Sequence, residues 1–279
     1  MTVFDPFIVQ QPRTSALPLI FDSPHSGREY PTDFNYVCPL SVLQQAEDSF
    51  VDDLMDCAPD HGASLLCATF PRSYIDVNRA LTDIDISLID GLWPGPVRAT
   101  SRSHAGIGLV RRLAKPGIPL YDRRLSVSEV QARIEGYYKP YHDALARLIS
   151  DAHYNFGQVW HINAHAMPDN STADFVLGDR DGTSCGRDFT YAIRDALKGL
   201  GYRVSINHPY KGVEILRRHG NPRRGIHSLQ LEISKALYWD SVNNIKSSNY
   251  NLLKYDIKKL ISLCADYVTD RISTSAAAD

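Results

Sequence analysis

The chain has 279 residues, of which 43% are hydrophobic and 22% charged, and its formal net charge is −2. That content supports a buried core and excludes a disordered chain, and a near-neutral charge without a block of one sign excludes nucleic acid or an anionic membrane as the main partner. Five cysteines, odd in number and never in a C-x-x-C pair, form neither a disulfide framework nor a structural zinc knuckle.

The first residues, Met1-Thr2-Val3-Phe4-Asp5-Pro6, carry no basic region or long apolar segment, so no signal peptide is expected. No run reaches the ~18–20 apolar residues of a membrane helix, and a soluble, cytoplasmic protein is predicted. An apolar run over 17–22 reads as a buried strand and delivers Ser23-Pro24-His25-Ser26-Gly27 at its carboxyl end. Apolar residues at helical spacing over 40–57 predict a helix, followed by a strand over 63–69 and the block Phe70-Pro71-Arg72-Ser73-Tyr74-Ile75-Asp76-Val77-Asn78-Arg79.

The interval 81–125, rich in Gly, Pro and Arg, has no clear periodicity and reads as an irregular excursion over the substrate. Ser126 with Glu129 forms a capping box that opens a helix to about Ile149. Further strands are predicted over 158–163, 174–177, 202–206 and 228–233. A helix over 185–198 ends at Gly199, and Leu253, Ile257, Leu260, Ile261, Cys264 and Val268 mark the apolar face of a last helix. The tail beyond Ile272 is expected to fray. Strands alternating with helices predict one α/β domain over 1–279, a mixed, mainly parallel sheet with helices on both faces.

Two histidines stand in the same setting. His25 follows the strand over 17–22, and His165, in Ala164-His165-Ala166-Met167-Pro168, follows the strand over 158–163. Ligands bind open α/β sheets at this carboxyl edge, and imidazole is a standard zinc ligand. A catalytic zinc takes a third protein ligand, and the acids after the first histidine are the candidates, with Asp48 preferred over Glu47 and Asp52. Glu232 lies in the apolar run Leu229-Gln230-Leu231-Glu232-Ile233. A carboxylate there is costly to bury unless paired or used, and it is the candidate general base. Arg72, Asn78 and Arg79 are candidates for binding an acidic substrate through a carboxylate, which a guanidinium matches in two-pronged fashion. The basic pairs Arg111-Arg112, Arg123-Arg124, Arg217-Arg218 and Arg223-Arg224 read as small-anion sites or solvated charges.

These blocks, with Leu177-Gly178-Asp179-Arg180-Asp181-Gly182-Thr183-Ser184-Cys185, fall in an order that resembles the N-formylglutamate amidohydrolase family, across roughly residues 21–234. The resemblance implies a zinc carboxypeptidase- and aspartoacylase-like, phosphorylase/hydrolase-like fold. It implies hydrolysis of N-formyl-L-glutamate to formate and L-glutamate in histidine degradation. On that analogy His25, His165 and a following acid hold Zn2+, and Glu232 is the base. Asp48-Ser49-Phe50 departs from the acid-plus-tryptophan pattern of many members. The alternatives are a zinc deacylase for another N-acyl acidic amino acid or small peptide, and a metal-free binding module. No oligomeric state is legible.

Overall fold

The computed structural model describes residues 4–276, so the expectations for the first three residues and the last of the tail lie outside the described residues. The chain divides into two compact units. One takes residues up to Ile8, Pro24–Ser49 and Ala68–Ala144; the other takes Val9–Ser23, Phe50–Cys67 and the chain from Leu145 onward.

A seven-stranded sheet, nearly all of it in the second unit, organises the fold. Its strands are β1 (Phe7–Gln10), β2 (Leu19–Ser23), β3 (Ser64–Ala68), β4 (Val159–Met167), β5 (Phe175–Gly178), β6 (Val204–Ile206) and β7 (Ile226–Ser234). They lie in the order β1-β3-β2-β4-β7-β5-β6. β2 is parallel to β3 and β4, β4 to β7, and β5 to β6; β7 and β5 run antiparallel. The fold is therefore mixed α/β with a mainly parallel sheet, as the alternation of elements predicts. β1 has no counterpart among the strands read from the sequence.

Because side chains alternate across a strand, β2, β4 and β7 are two-faced. Leu19 and Phe21, then Trp160, Ile162 and Ala164, then Leu229, Leu231 and Ile233 join one apolar core. Against it pack α2 (Val51–Leu54), α6 (Arg187–Gly199) and α8 (Tyr250–Ala276), the last through the predicted stripe from Leu253 to Val268. Each Leu, Ile, Val or Phe among them contributes about 1.5–3 kcal/mol on full burial. α8 stays helical to Ala276, past the point where fraying was expected. Among the described residues no helix is long and apolar enough to cross a membrane.

The first unit holds α1 (Leu40–Gln44), α3 (Ser101–His104), α4 (Val127–Arg133), a π-helical turn, Ile134–Tyr138, and the start of α5 (Lys139–Phe156), which belongs to the second unit from Leu145 onward. Ser126 and Glu129 form the predicted capping box on α4, and the helical run continues to Phe156 rather than stopping near Ile149. The buried Arg133 guanidinium stacks 4.1 Å from the Tyr74 ring and donates to Tyr74 O and Tyr121 Oη, at 3.0 and 2.8 Å.

The helix predicted over 40–57 is two short helices. Between α1 and α2 the chain leaves helical geometry, with Phe50 at a left-handed φ of 66°. Glu47, Asp48 and Ser49 are buried there rather than exposed on a helix face. Tertiary hydrogen bonds replace the helical ladder: Asp48 N–H donates to His25 O at 3.0 Å and Ser26 Oγ to Asp48 O at 2.9 Å. The intervening 81–125 segment is built from a 3-10 turn, α3 and short paired strands. It is tied down where Asp76 N–H donates to Leu109 O at 2.8 Å and Leu109 N–H to Asp83 O at 2.9 Å.

Candidate active site

The face of the sheet opposite the apolar core is polar and buried. Across β2, β4 and β7, Asp22 pairs in register with Asn163 and Asn163 with Gln230; one pleat further, His165 pairs with Glu232. His161 and Ser228 are in register one pleat earlier. Asp22 Oδ1 accepts from His161 Nε2 at 2.7 Å and from Asn163 Nδ2 at 2.8 Å. Ser228 Oγ meets His161 Nδ1 at 2.8 Å, and Gln230 Nε2 donates to Glu232 Oε1 at 2.7 Å. Asn163 Oδ1 accepts from His165 Nε2 at 2.7 Å. Since Asn163 presents its NH2 to Asp22, its oxygen faces the ring, and a proton on His165 Nε2 satisfies that contact.

These supporting residues were missed from the sequence because both runs read as uniformly apolar strands. The signal was present: His161, Asn163 and His165, like Ser228, Gln230 and Glu232, recur with a period of two.

In the other unit, His25 follows directly from β2 and is held in the same way. Its Nε2 donates to Asp76 Oδ1 at 2.8 Å, and its Nδ1 lies 3.3 Å from Asp48 Oδ2. The turn beyond it demands glycine: a Cβ on Gly27 would lie 2.3 Å from Phe70 O, which brings the His25 loop onto the Phe70–Arg79 block. Asp76 is the hub of that block, fully buried. It also accepts Asn78 N–H at 2.9 Å and two Arg72 N–H groups, from Nη2 at 2.9 Å and Nε at 3.2 Å. Burial alone would raise its pKa; Arg72, then His25 and Arg79, hold the carboxyl well below the usual range.

Arg72 also reaches Asp48, at 3.3 Å. Arg79 instead donates to Asn78 O at 3.0 Å and Ile107 O at 3.4 Å, and burial lowers its pKa. Of the competing acids, Glu47 accepts from Tyr30 Oη, and Asp52 lies on α2.

His25, Asp48 and His165 form a candidate metal-binding group: one donor atom from each lies within 4.8 Å of the other two, and all three residues are buried. The donor set fits a divalent ion. Each histidine has its Nε2 tied to a protein acceptor, Asp76 for His25 and Asn163 for His165, the outer support usual for ligating imidazoles. The 3.3 Å between His25 Nδ1 and Asp48 Oδ2 is close to the roughly 3.3 Å that separates two donors about 2.0–2.1 Å from one tetrahedral ion.

Two imidazoles and an acid near the carboxyl ends of a mainly parallel α/β sheet make a candidate metal site of the kind that hydrolases use. Residues 17–239 match the N-formylglutamate amidohydrolase family, and the chain belongs to it. It is 28% identical to an N-formylglutamate deformylase of Pseudomonas putida, over 80% of this chain and 82% of that one. It is 26% identical to a deformylase of that name from Pseudomonas aeruginosa, over 80% and 83%. The crystal structure of an N-formylglutamate amidohydrolase from Ralstonia eutropha superposes with a TM-score of 0.93 and 42% identity, covering 96% of this chain and 99% of that one.

Proposed function

We propose that the protein is a metal-dependent amidohydrolase that cleaves N-formyl-L-glutamate to formate and L-glutamate, as a step of histidine degradation in the cytoplasm. The observation that carries the reading is the His25, Asp48 and His165 donor group, in a chain whose relatives are named for this activity. Bound to these residues, a divalent ion, for which zinc suits the donor set, would supply Lewis acidity and a water acidic enough to be deprotonated near neutral pH.

Glu232, in register with His165, takes the proton of the water that attacks the formyl carbonyl. It returns that proton to the glutamate nitrogen as the C–N bond breaks. Gln230 holds one oxygen of that carboxylate. Arg72 is engaged by Asp76 and Asp48 and positions both. Arg79, flanked by Asn78, is the guanidinium for a substrate carboxylate.

The test is release of formate from N-formyl-L-glutamate by the purified protein, beside the N-acetyl and N-succinyl analogues. Chelation should abolish turnover and added zinc restore it. Glu232→Gln should retain the metal and lose about 10²–10⁴-fold in kcat, the range for general acid–base catalysis. Near-normal turnover by that variant would reduce Glu232 to a structural role, and turnover untouched by exhaustive metal removal would end the metal reading.

A further inference from the structure

The basic pair Arg111-Arg112 splits in the fold. Arg112 turns to Asp85, its Nε donating at 2.7 Å. Arg111 turns inward and is 7% exposed. Its Nε is buried with no hydrogen-bond partner. Among the described residues its one ion-pair partner is Asp76, with Nη2 3.8 Å from Oδ2. That carboxylate already accepts from His25, Asn78 and Arg72. Arg111 is therefore a third guanidinium gathered around Asp76, beside Arg72 and Arg79, without a direct acidic hydrogen-bond partner of its own.

Burying a charge without a hydrogen-bonded counter-ion is costly. The strain registers in its acidity: burial first, then repulsion from Arg72, pulls Arg111 down to about 9. The backbone leaves the side chain little choice of direction. Residues Ile107 and Arg111 bridge each other, Arg112 N–H donates to Gly106 O at 2.9 Å, and Leu109 is hydrogen-bonded to both Asp76 and Asp83. A Cβ on Gly108 would lie 2.6 Å from Asp83 O, so the loop fits only as closely as glycine allows.

We infer that Arg111 is a specificity-determining residue that receives one of the two carboxylates of a dicarboxylate substrate, the other falling to Arg79. The inference rests on the amidohydrolase reading for the identity of the substrate. The chemistry is that of an anion completing a preformed cationic pocket: the ligand supplies the acceptor oxygens that the protein withholds from Arg111. A substrate without the carboxylate that Arg111 receives would leave that guanidinium buried and short of acceptors, so the site would discriminate by penalty as well as by attraction.

The experiment reads binding, not turnover. The full-length wild type, Arg111→Met and Arg111→Lys are titrated by calorimetry with L-glutamate and its two monoamides, L-glutamine and L-isoglutamine. The wild type should bind glutamate about ten- to a hundredfold more tightly than either monoamide, the worth of a charge-assisted contact of roughly 1.5–3 kcal/mol. Arg111→Met should bind glutamate and one monoamide alike while keeping its full preference over the other. Loss of both preferences, retention of both, or a wild type with neither would overturn the assignment.

If Arg111→Met fails to fold, Arg111→Lys carries the test, because it keeps the charge and loses the two-pronged geometry. It should narrow the same single preference several-fold, and an unchanged preference would count against the assignment. Turnover of N-formyl-L-glutamate by the wild type, measured separately, tests the amidohydrolase reading. An inactive protein with the expected binding pattern would refute that reading and leave Arg111 as an anion-recognition residue.

Discussion

Replacing Asp76 with Asn keeps the shape of the side chain and removes its charge. In the native structure Oδ1 accepts from His25 Nε2 and the Asn78 N–H, while Oδ2 accepts two N–H groups of Arg72. An amide has one acceptor oxygen. Whichever way it turns, its NH2 confronts donors on one side, and two hydrogen bonds are lost there. If the oxygen stays with His25 and Asn78, the lost bonds are the pair from Arg72, each worth about 1.5–3 kcal/mol as a charge-assisted contact. Arg72 would then keep only its longer contact to Asp48, and the buried Arg111 would lose its ion-pair partner. Breaking a buried pair by removing one partner costs about 3–5 kcal/mol, a large share of the roughly 5–15 kcal/mol that holds a domain together.

Urea denaturation should therefore show a lower midpoint at unchanged m for Asp76→Asn, with a loss in that range. Adding Arg72→Met should cost clearly less than the sum of the two single changes, because the second substitution removes a charge the first has stranded. A loss below about 1 kcal/mol, or effects that add within about 0.5 kcal/mol, would refute the view of Asp76 as the carboxylate that holds this cluster together.

Asn163→Ala should weaken metal binding about 10–100-fold, the cost of losing an outer hydrogen bond to a ligating imidazole; competition against a fluorescent chelator measures it, and unchanged affinity would free His165 from dependence on Asn163. His227 stacks on Trp160, and its Nδ1 accepts the Gly186 N–H at 3.0 Å. Burial first, then Arg271, lowers its pKa below the usual 6.5, so the unfolded chain binds its proton more readily. Its share of stability is then full above about pH 6.5 and lost as pH falls through the depressed folded value. Melting temperatures recorded between pH 7.5 and 5 should fall less for His227→Phe than for the wild type. Parallel curves would remove His227 from the acid response.

Legibility in the sequence followed chemical contrast. Strands over 17–22, 158–163 and 228–233 were readable because apolar runs end abruptly in Gly, Pro or polar residues. His25 stood out beyond the first of them for the same reason, whereas His165, read as following its strand, lies inside Val159–Met167 because that strand runs four residues past Asn163. The break before Val51 was not readable, since apolar spacing continues through it and only the tertiary bonds of Asp48 to His25 and Ser26 end the helix. Arg111 was equivalent to Arg112 on the page. What separates them is that one meets Asp85 and the other turns inward toward Asp76, a distinction made by the 103–112 loop. The roles of Asp76 and Asn163 depend on partners 51 and 141 positions away, beyond any local pattern.

The two-faced character of β4 and β7 bears on which length changes this chain can tolerate. Inserting or deleting one residue within either strand would invert its pleat, turning His165 or Glu232 toward α6 and α8 and presenting Ile162 or Leu231 to the polar file. Hydrophobic burial and the hydrogen-bonded ladder would fail together, so the register of these strands is enforced twice over. Length variation within the family should accordingly collect in the loops and be absent from the 159–167 and 226–234 strands.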